Sequence, residues 1–309
     1  MGKKRRILIM KDLHIHTYFS DGKNSPVEMI KKLHELGVKE AAITDHDSAD
    51  TFMSRDFLDL VKRDGKGRFD YKGMKVITGA EIDCQFDEEK YPDWKNPIEI
   101  LAYGFDEGNE ELTSYLKEIQ RQRIERLKSL IPAVAMRFGE NAITEGEIFG
   151  NPHTKTYMKP HIVNVLLEKK LIGEYREGNM LLKEAEKENP KALRRTTPQN
   201  AIKMIHNAGG KAFLAHPFVY DKYGYDDIAE ILNTLINKGL DGFEYRYPYE
   251  LGHRSGSREE IEKAMRKKQE LARRLAVLFP DAEYVQGSDS HSVEDLEKLH
   301  GEKGLWARA

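Results

Sequence analysis

The chain has 309 residues, of which 33% are charged and 39% hydrophobic, and its formal net charge is −2. These values are typical of a globular protein with one large domain or two smaller ones, and they exclude a strongly basic surface that recruits nucleic acid. Cys84 is the sole cysteine, which excludes an intrachain disulfide and favours a reducing compartment. The apolar runs are too short for a signal peptide or a membrane span of ~20 residues, so we expect a cytoplasmic protein.

Seven short apolar segments are predicted to be strands, and most have the composition of parallel strands buried on both faces. They are RRILIMKDLHIH, KEAAITDHD, KVITGAEID, IEILAYGF, KAFLAHP, GFEYRYP and EYVQGSDSH. Helical patterns lie between many of them. Ser25 is predicted to cap a helix that begins at Pro26, and Thr197 to cap one that begins at Pro198. This alternation predicts a parallel α/β fold with a barrel-like closure.

The segment 106–195 differs from the rest because it contains no convincing strand pattern. Apolar residues recur at helical spacing in NEELTSYLKEIQRQRIERLKSLI, and two further helices are predicted in KPHIVNVLLEKKLI and NMLLKEAEKEN. Pro132 is expected to bend or interrupt the first of these helices. We therefore expect a helical insertion at 106–195, which divides the strand-containing domain into residues 1–105 and 196–309.

Two histidines, His14 and His16, stand one residue apart at the end of the first predicted strand, and Asp21 follows them on a turn. Side chains two residues apart on a strand point the same way, so both imidazoles can reach one metal ion. For an isolated pair of this kind, two ordinary surface histidines are the commoner explanation. The remainder of the chain decides between these alternatives.

Histidine and carboxylate side chains also follow the other predicted strands, at the ends where α/β folds bind ligands. The full set is His14, His16, Asp21, Asp45, His46, Asp47, Glu81, Glu99, His216, Glu244, Asp289 and His291. Imidazoles and carboxylates without a thiolate favour Mn²⁺, Fe²⁺, Zn²⁺ or Mg²⁺. The set is too large for one ion, so we expect two or three divalent ions. A carboxylate-bridged cluster of this kind is suited to phosphoester hydrolysis.

Five segments resemble, in order, motifs of the PHP (polymerase and histidinol phosphatase) superfamily of metal-dependent phosphoesterases. They are DLHIHTYFSDG, ITDHD, GAEI, AGGKAFLAHP and GSDSHS. The resemblance covers nearly the whole chain. The helical insertion of this chain is similar to that of the stand-alone nucleotide-phosphatase branch of the superfamily. It implies a distorted seven-stranded (β/α)7 barrel with an inserted all-helical subdomain that caps the substrate side.

The resemblance also implies how the metal ligands are divided among ions. The sets are His14, His16, Glu81 and Asp289 for one ion, Glu81 and His216 for a second, and Asp21, His46 and His291 for a third. The catalytic residues it implies are Asp21, Glu81, His216 and Asp289. The family usually has a histidine where this chain has Glu99. We expect Glu99 to bind the second ion, and the alternative is that it faces the barrel wall and pairs with a lysine or arginine.

Further residues are expected around these ligands. The resemblance implies that Arg123 and His161 lie where substrate phosphate or nucleotide binds, with Lys159 standing where the family often has arginine. The residues expected to orient imidazoles through their free N–H groups are Asp45, Asp47 and Glu244. For Asp45, capping of a loop amide is an equally open alternative.

These features predict an enzyme that uses a metal-activated hydroxide to hydrolyse phosphomonoester or phosphodiester bonds of nucleotides. Mn²⁺ is the ion that we expect it to bind. The branch it resembles acts on 3′,5′-bisphosphonucleotides and on the 5′ ends of short RNA or DNA. One alternative is a histidinol-phosphate phosphatase, against which the helical insertion argues. Another is a non-catalytic metal-stabilised scaffold, against which the complete ligand set argues. We expect a monomer without a large nucleic-acid-binding surface and without membrane contact.

Overall fold

The computed structural model describes residues 10–85, 97–188, 193–219, 224–248 and 258–301. Its strands are β1 (Lys11–Asp12), β2 (Glu40–Ala42), β3 (Lys62–Arg63), β4 (Arg68–Tyr71), β5 (Met74–Ile77), β6 (Gly79–Cys84), β7 (Ile98–Tyr103), β8 (Lys211–Leu214), β9 (Gly242–Arg246) and β10 (Glu283–Gln286). The first residues of the first predicted strand lie outside the described residues. Helices and strands alternate through much of the chain, so the predicted α/β class is confirmed.

The helices between these strands include most of those that the sequence predicts. They are α1 (Pro26–Glu35), α2 (Arg55–Leu60), α3 (Glu110–Phe138), α4 (Glu145–Phe149), α5 (Lys159–Glu168), α6 (Tyr175–Glu188), α7 (Pro198–Asn207), α8 (Tyr225–Ile236), α9 (Arg258–Leu278) and α10 (Val293–His300), with a 3₁₀ turn at Asp50–Met53. Within the described residues, no helix is long and apolar enough to cross a membrane.

The strands form two five-stranded sheets, with the orders β1-β2-β5-β4-β3 and β10-β9-β8-β7-β6. The predicted segment KVITGAEID is divided between them, because β5 belongs to the first sheet and β6 to the second. Backbone hydrogen bonds link the two sheets: the Leu13 N–H donates to the Gln286 carbonyl at 2.9 Å, and the Asp47 N–H donates to the Glu81 carbonyl within β6 at 2.8 Å. Because the strands form two five-stranded sheets and not one closed sheet, the predicted barrel of seven strands is not confirmed.

The prediction that the strands are mostly parallel is wrong for the middle of the second sheet. β7 pairs antiparallel with both β6 and β8, whereas β8, β9 and β10 are parallel neighbours. Parallel neighbours need a long crossover, usually a helix, and no helical pattern separates GAEID from IEILAYGF. The sequence analysis also missed the antiparallel strands β3 and β4.

The caps predicted for two helices are confirmed. The Glu28 N–H donates to Ser25 Oγ at 3.2 Å, and the Ser25 N–H donates to Glu28 Oε2 at 2.8 Å, so α1 begins with a complete capping box. The Asn200 N–H donates to Thr197 Oγ1 at 3.3 Å at the start of α7. Gly37, with φ of 84°, follows α1 in the left-handed conformation that glycine adopts without strain.

Helices α3 to α6 occupy the part of the chain predicted to be a helical insertion. Most of their buried apolar side chains form a cluster of their own, which includes Leu130, Val134, Ile162 and Leu182, whereas Leu112 and Leu116 near the start of α3 pack into the main core. Pro132 does not interrupt α3, which continues to Phe138, and the bend expected at this residue stays a prediction. The lost backbone hydrogen bond is offset because Leu130 and Val134 on either side are fully buried. The boundaries at 106 and 195 stay a prediction.

Candidate metal centre

The first group of candidate ligands lies where β1 and β10 end. The His16 N–H donates to the Ser290 carbonyl at 2.9 Å, and the Asp289 N–H donates to the His14 carbonyl at 2.8 Å. These bonds fix the two segments side by side. His16 Nε2 then lies 2.9 Å from Asp289 Oδ1, and His14 Nε2 lies 3.5 Å from the same oxygen. His14, His16 and Asp289 can therefore hold one ion.

Glu81 occupies the middle of the cluster at a buried position of β6. Its carboxylate faces four imidazoles, at 3.3 Å from His14 Nε2, 3.4 Å from His16 Nε2, 3.2 Å from His46 Nδ1 and 3.1 Å from His216 Nε2. The side chain of Glu81 is only 1% exposed. A carboxylate with imidazoles on several sides is suited to bridge two ions.

A further group lies on the turn after His16. Asp21 Oδ1 lies 3.4 Å from His291 Nε2 and 3.9 Å from His16 Nδ1. His46 belongs to the same group, in which each residue offers a ligand atom within 4.8 Å of the others. The imidazoles stack, with ring centroids 4.4 Å apart for His16 and His291 and 4.6 Å apart for His16 and His46. The structure thus brings eight of the nine predicted metal ligands together. The ninth, Glu99, lies close to His216 in the same cluster.

Glu99 and Asp83 complete the cluster. Glu99 Oε2 lies 3.6 Å from His216 Nε2, and Asp83 Oδ1 lies 3.5 Å from His46 Nδ1. His46, Asp83 and Glu99 form another group that can hold an ion. The sequence analysis did not include Asp83. A signal was available, since Asp83 is two residues after Glu81 and shares its face of β6.

Three carboxylates of the cluster, Glu81, Asp21 and Asp289, are held in their charged form, whereas burial raises the pKa of Glu99 to about 7. Burial alone would raise the pKa of Glu81, but the charges of His14 and His46 keep it well below its usual range. Burial likewise opposes ionisation of Asp21 and Asp289, and neighbouring imidazoles lower the pKa of both. Each of these groups is therefore an anionic oxygen ligand at neutral pH.

The same carboxylates change the pKa values of the imidazoles. Burial disfavours their charged form, yet a hydrogen bond with Glu81 raises the pKa of His216 to about 9, and Asp21 raises the pKa of His291 to about 9. For His16 burial and the neighbouring His291 prevail, and its pKa is lowered. In the absence of a cation, protons balance much of the negative charge. Ion binding must displace those protons, so affinity should fall in acid.

The donor atoms of the site fit divalent ions. Several are buried and have no hydrogen-bond partner in the part of the chain that the structure describes: His14 Nε2, His46 Nδ1, Asp21 Oδ1 and Asp83 Oδ1. Buried polar atoms are rarely left in this state, because the cost is about 1–3 kcal/mol each. Atoms of this chemistry, all facing one another, are what a cluster of hard or borderline cations requires.

The three residues expected to orient imidazoles differ in what they contact. Both carboxylate oxygens of Glu244 lie 3.3 Å from His14 Nδ1, and its orienting role stays a prediction. Asp45 instead accepts from the Thr17 amide at 2.7 Å and from nearby hydroxyls, which is the loop-capping alternative. Asp47 contacts the guanidinium of Arg123, with Arg123 Nε 3.0 Å from Asp47 Oδ2.

The residues expected on the substrate side lie on α3 and α5. Arg123 is 5% exposed, and its guanidinium is held between Asp47 and Asp83. Lys159 is the most accessible of the three, with its side chain 41% exposed and its Nζ 3.2 Å from a Glu186 oxygen. His161 accepts from the Met158 amide and lies 3.1 Å from the Ser20 carbonyl, beside the turn that carries Asp21. Their contact with substrate stays a prediction.

Two features next to the ligands were not predicted from the sequence. The Tyr247 hydroxyl donates to Asp289 Oδ2 at 2.8 Å, and the Tyr247 ring packs edge-on against His216. Backbone geometry is also unusual here, since His216 and Asp289 have φ values of 24° and 50°. Such strained conformations persist where the surrounding structure holds them, often at functional sites. No local sequence signal points to Tyr247.

The fold and this constellation define an α/β protein whose clustered His, Asp and Glu side chains can hold metal ions. The profile of the PHP domain family matches residues 12–285, and the chain belongs to that family. The chain is 27% identical over 241 residues to a 5'-3' exoribonuclease of Haemophilus influenzae, which covers 75% of this chain and 77% of that protein. It is 21% identical to a 3',5'-nucleoside bisphosphate phosphatase of Chromobacterium violaceum, over 68% of this chain and 67% of that protein.

Solved structures support the fold assignment. A protein from Bifidobacterium adolescentis that was assigned as a metal-dependent phosphoesterase superposes with a TM-score of 0.66. The superposition covers 92% of this chain and 88% of that one, at 22% sequence identity. At this identity the likeness concerns the fold alone.

Proposed function

We propose that this chain is a metal-dependent phosphoesterase that hydrolyses phosphate esters of nucleotides. The observation that carries the proposal is the position of Glu81, whose buried carboxylate lies 3.1–3.4 Å from four imidazoles. The names of the H. influenzae and C. violaceum relatives, an exoribonuclease and a nucleoside bisphosphate phosphatase, favour nucleotide esters as the substrate class.

The proposed division of labour follows the groups described above. His14, His16 and Asp289 would hold one ion, His14, Glu81 and His216 a second, and His16, Asp21, His46 and His291 a third. Glu99, which the sequence analysis assigns to the second ion, is grouped instead with His46 and Asp83. When bound, divalent ions supply a water of lowered pKa and positive charge opposite the phosphate oxygens. Glu244 keeps the His14 imidazole in position for its ligand role, because its carboxylate lies 3.3 Å from Nδ1.

Mn²⁺ is the ion that we propose. The candidate ligands combine imidazole nitrogens with at least four carboxylates, Asp21, Glu81, Glu99 and Asp289. Carboxylate-rich sites favour Mn²⁺ or Mg²⁺, whereas imidazoles favour Zn²⁺, Fe²⁺ or Mn²⁺. Mn²⁺ is common to both preferences.

We also propose that the helices between residues 106 and 195 cap the substrate side. Three contacts support this. Gln120 on α3 donates to the Asp47 carbonyl at 3.0 Å, Thr156 donates to the same carbonyl at 3.4 Å, and His161 lies against Ser20. Residues of the insertion thereby border the loops that carry Asp21 and His46. Lys159, His161 and Arg123 remain the proposed substrate-side residues, with Lys159 the most exposed.

The proposed setting is a reducing cytoplasm, in which the chain acts as a monomer on a small nucleotide or a short oligonucleotide. The thiol of Cys84 is free and buried, which suits a reducing compartment. The net charge of −2 provides no general attraction for long nucleic acids.

A substrate panel tests the function. The purified protein would be loaded with Mn²⁺ and assayed for phosphate or nucleotide release from adenosine 3′,5′-bisphosphate, 5′-phosphorylated short RNA and histidinol phosphate. We expect hydrolysis of one or both nucleotide substrates and its loss with a chelator. Preference for histidinol phosphate would replace the proposed substrate class. A protein that binds Mn²⁺ but hydrolyses none of the three would support the scaffold alternative.

A further inference from the structure

Two carboxylates, Asp83 and Glu99, stand directly opposite each other on β6 and β7. The antiparallel register pairs their Cα atoms, which places both side chains on the same face of the sheet. Their side chains are only 3% and 18% exposed. Like charges directly opposite on neighbouring strands are destabilising, and burial increases that cost. Arg123 beside Asp83 and His216 beside Glu99 offset part of that cost, and a cation between the two carboxylates would offset more of it.

The two oxygens of the Asp83 carboxylate have different neighbours. Asp83 Oδ2 is 2.5 Å from Arg123 Nη2 and 3.6 Å from Arg195 Nε, so one oxygen is fixed from outside the cluster. Asp83 Oδ1 is buried, has no hydrogen-bond partner among the described residues and lies 3.5 Å from His46 Nδ1. Metal-binding carboxylates have this arrangement, in which surrounding donors orient the side chain and leave one oxygen for the ion.

His46 supplies the third donor. Its Nδ1 is also buried without a hydrogen-bond partner in the described part of the chain, and it faces Asp83 Oδ1. Ligand atoms of His46, Asp83 and Glu99 all lie within 4.8 Å of one another. Because His46 also belongs to the set of Asp21 and His291, it links the two groups.

We propose that His46, Asp83 and Glu99 form a binding subsite for a divalent cation, in which Asp83 Oδ1 is a direct ligand. This inference rests on the proposed metal-dependent function and extends its ligand set by a residue that none of the recognised motifs predicts. Two carboxylates and one imidazole favour a hard cation such as Mn²⁺ or Mg²⁺. Arg123 and Arg195 are positioning residues, because they hold the other oxygen of Asp83.

Equilibrium binding of Mn²⁺ tests the subsite without relying on activity. Free Mn²⁺ would be measured by electron paramagnetic resonance during titration of the wild-type chain, Asp83→Asn and Glu99→Gln. We expect each variant to bind one ion fewer than wild type. Glu107→Gln is the matched control, since Glu107 is a buried carboxylate bound by Arg63 at 2.5 Å beyond the opposite end of β7. This control should bind as many ions as wild type.

Two outcomes would overturn the inference. One is an unchanged number of ions and unchanged affinity in both variants. The other is an unchanged number with affinity reduced ~10–100-fold in Asp83→Asn alone, which would show that Asp83 acts by orienting His46. Circular dichroism in metal-free buffer would confirm folding. If Asp83→Asn does not fold, because Arg123 and Arg195 each lose a charged contact, Glu99→Gln carries the test.

The assay also separates this inference from the proposed function. If the wild-type chain binds Mn²⁺ and hydrolyses a nucleotide ester but both variants retain every ion, only the subsite is refuted. If the wild-type chain binds no Mn²⁺, the proposed function and the subsite are refuted together.

Discussion

Glu244 holds His14 from the side opposite the metal cluster. Both Glu244 oxygens lie 3.3 Å from His14 Nδ1, whereas His14 Nε2 points to Glu81 and Asp289. The second nitrogen of the same ring is therefore directed at the ion site by a hydrogen bond made at the first. Glu244 also accepts from the His216 amide at 2.9 Å, so it orients a strand end as well as a ring.

The Glu244→Gln substitution should weaken metal binding without removing a ligand. The neutral amide can no longer stabilise the tautomer with hydrogen on Nδ1 as strongly, so we expect Mn²⁺ affinity to fall ~10–100-fold. Isothermal titration of the variant and of Glu107→Gln would measure the difference. Equal affinity of Glu244→Gln and wild type would show that His14 is positioned by packing alone.

His16→Ala and Asp289→Ala should abolish hydrolysis while the chain remains folded. The two substitutions remove His16 Nε2 and Asp289 Oδ1, the candidate ligand atoms that lie 2.9 Å apart. Neither side chain belongs to the apolar core. Rates of phosphate release in Mn²⁺-saturated buffer would be compared with those of His206→Ala, whose imidazole pairs with Asp241 away from the cluster. Activity of the first two variants within a few fold of this control would exclude both residues as ligands.

Gly287→Ala should destabilise the end of β10. A Cβ atom at residue 287 would lie 2.0 Å from His14 Cβ and 2.7 Å from Glu244 Oε1, so strands that carry ligands would have to separate. We expect the free energy of unfolding to fall by about 3 kcal/mol. Gly173→Ala is the control, because nothing lies within 4 Å of its added Cβ. Urea denaturation that finds both variants equally stable would contradict the close approach.

His161 should make stability depend on pH. Burial, the largest cause, lowers the pKa of His161 in the folded chain, whereas in the unfolded chain the group titrates near ~6.5. The unfolded state therefore takes up the proton first as pH falls, and the stabilising contribution present above ~6.5 is lost in acid. The advantage of wild type over His161→Gln in free energy of unfolding should shrink between about pH 7.5 and 5.5.

Urea denaturation in chelator at both pH values would measure this change. The other titrating histidines are present in both proteins, so their effects cancel in the comparison. An advantage that stays constant, or that grows in acid, would show that His161 is not held neutral in the fold.

Several features could be predicted from the sequence because they depend on residues close together in the chain. The caps of α1 and α7 need only Ser25 with Glu28 and Thr197 with Asn200, a few residues apart. The gathering of ligands such as His14, His46 and His216 followed from their places at strand ends. The order of strands could not be predicted in the same way, and the split of KVITGAEID between two sheets was missed.

Sequence alone determined which residue types the chain has available for metal chemistry and which strand ends carry them. Tertiary structure alone decided that Asp83 faces Glu99, since that contact depends on the register between β6 and β7. It also decided that Arg123 is engaged by Asp47 and Asp83 across long sequence separations. The physical reason is that local hydrogen bonds and side-chain alternation are encoded within a few residues, whereas register and ion pairing are set by how distant segments pack.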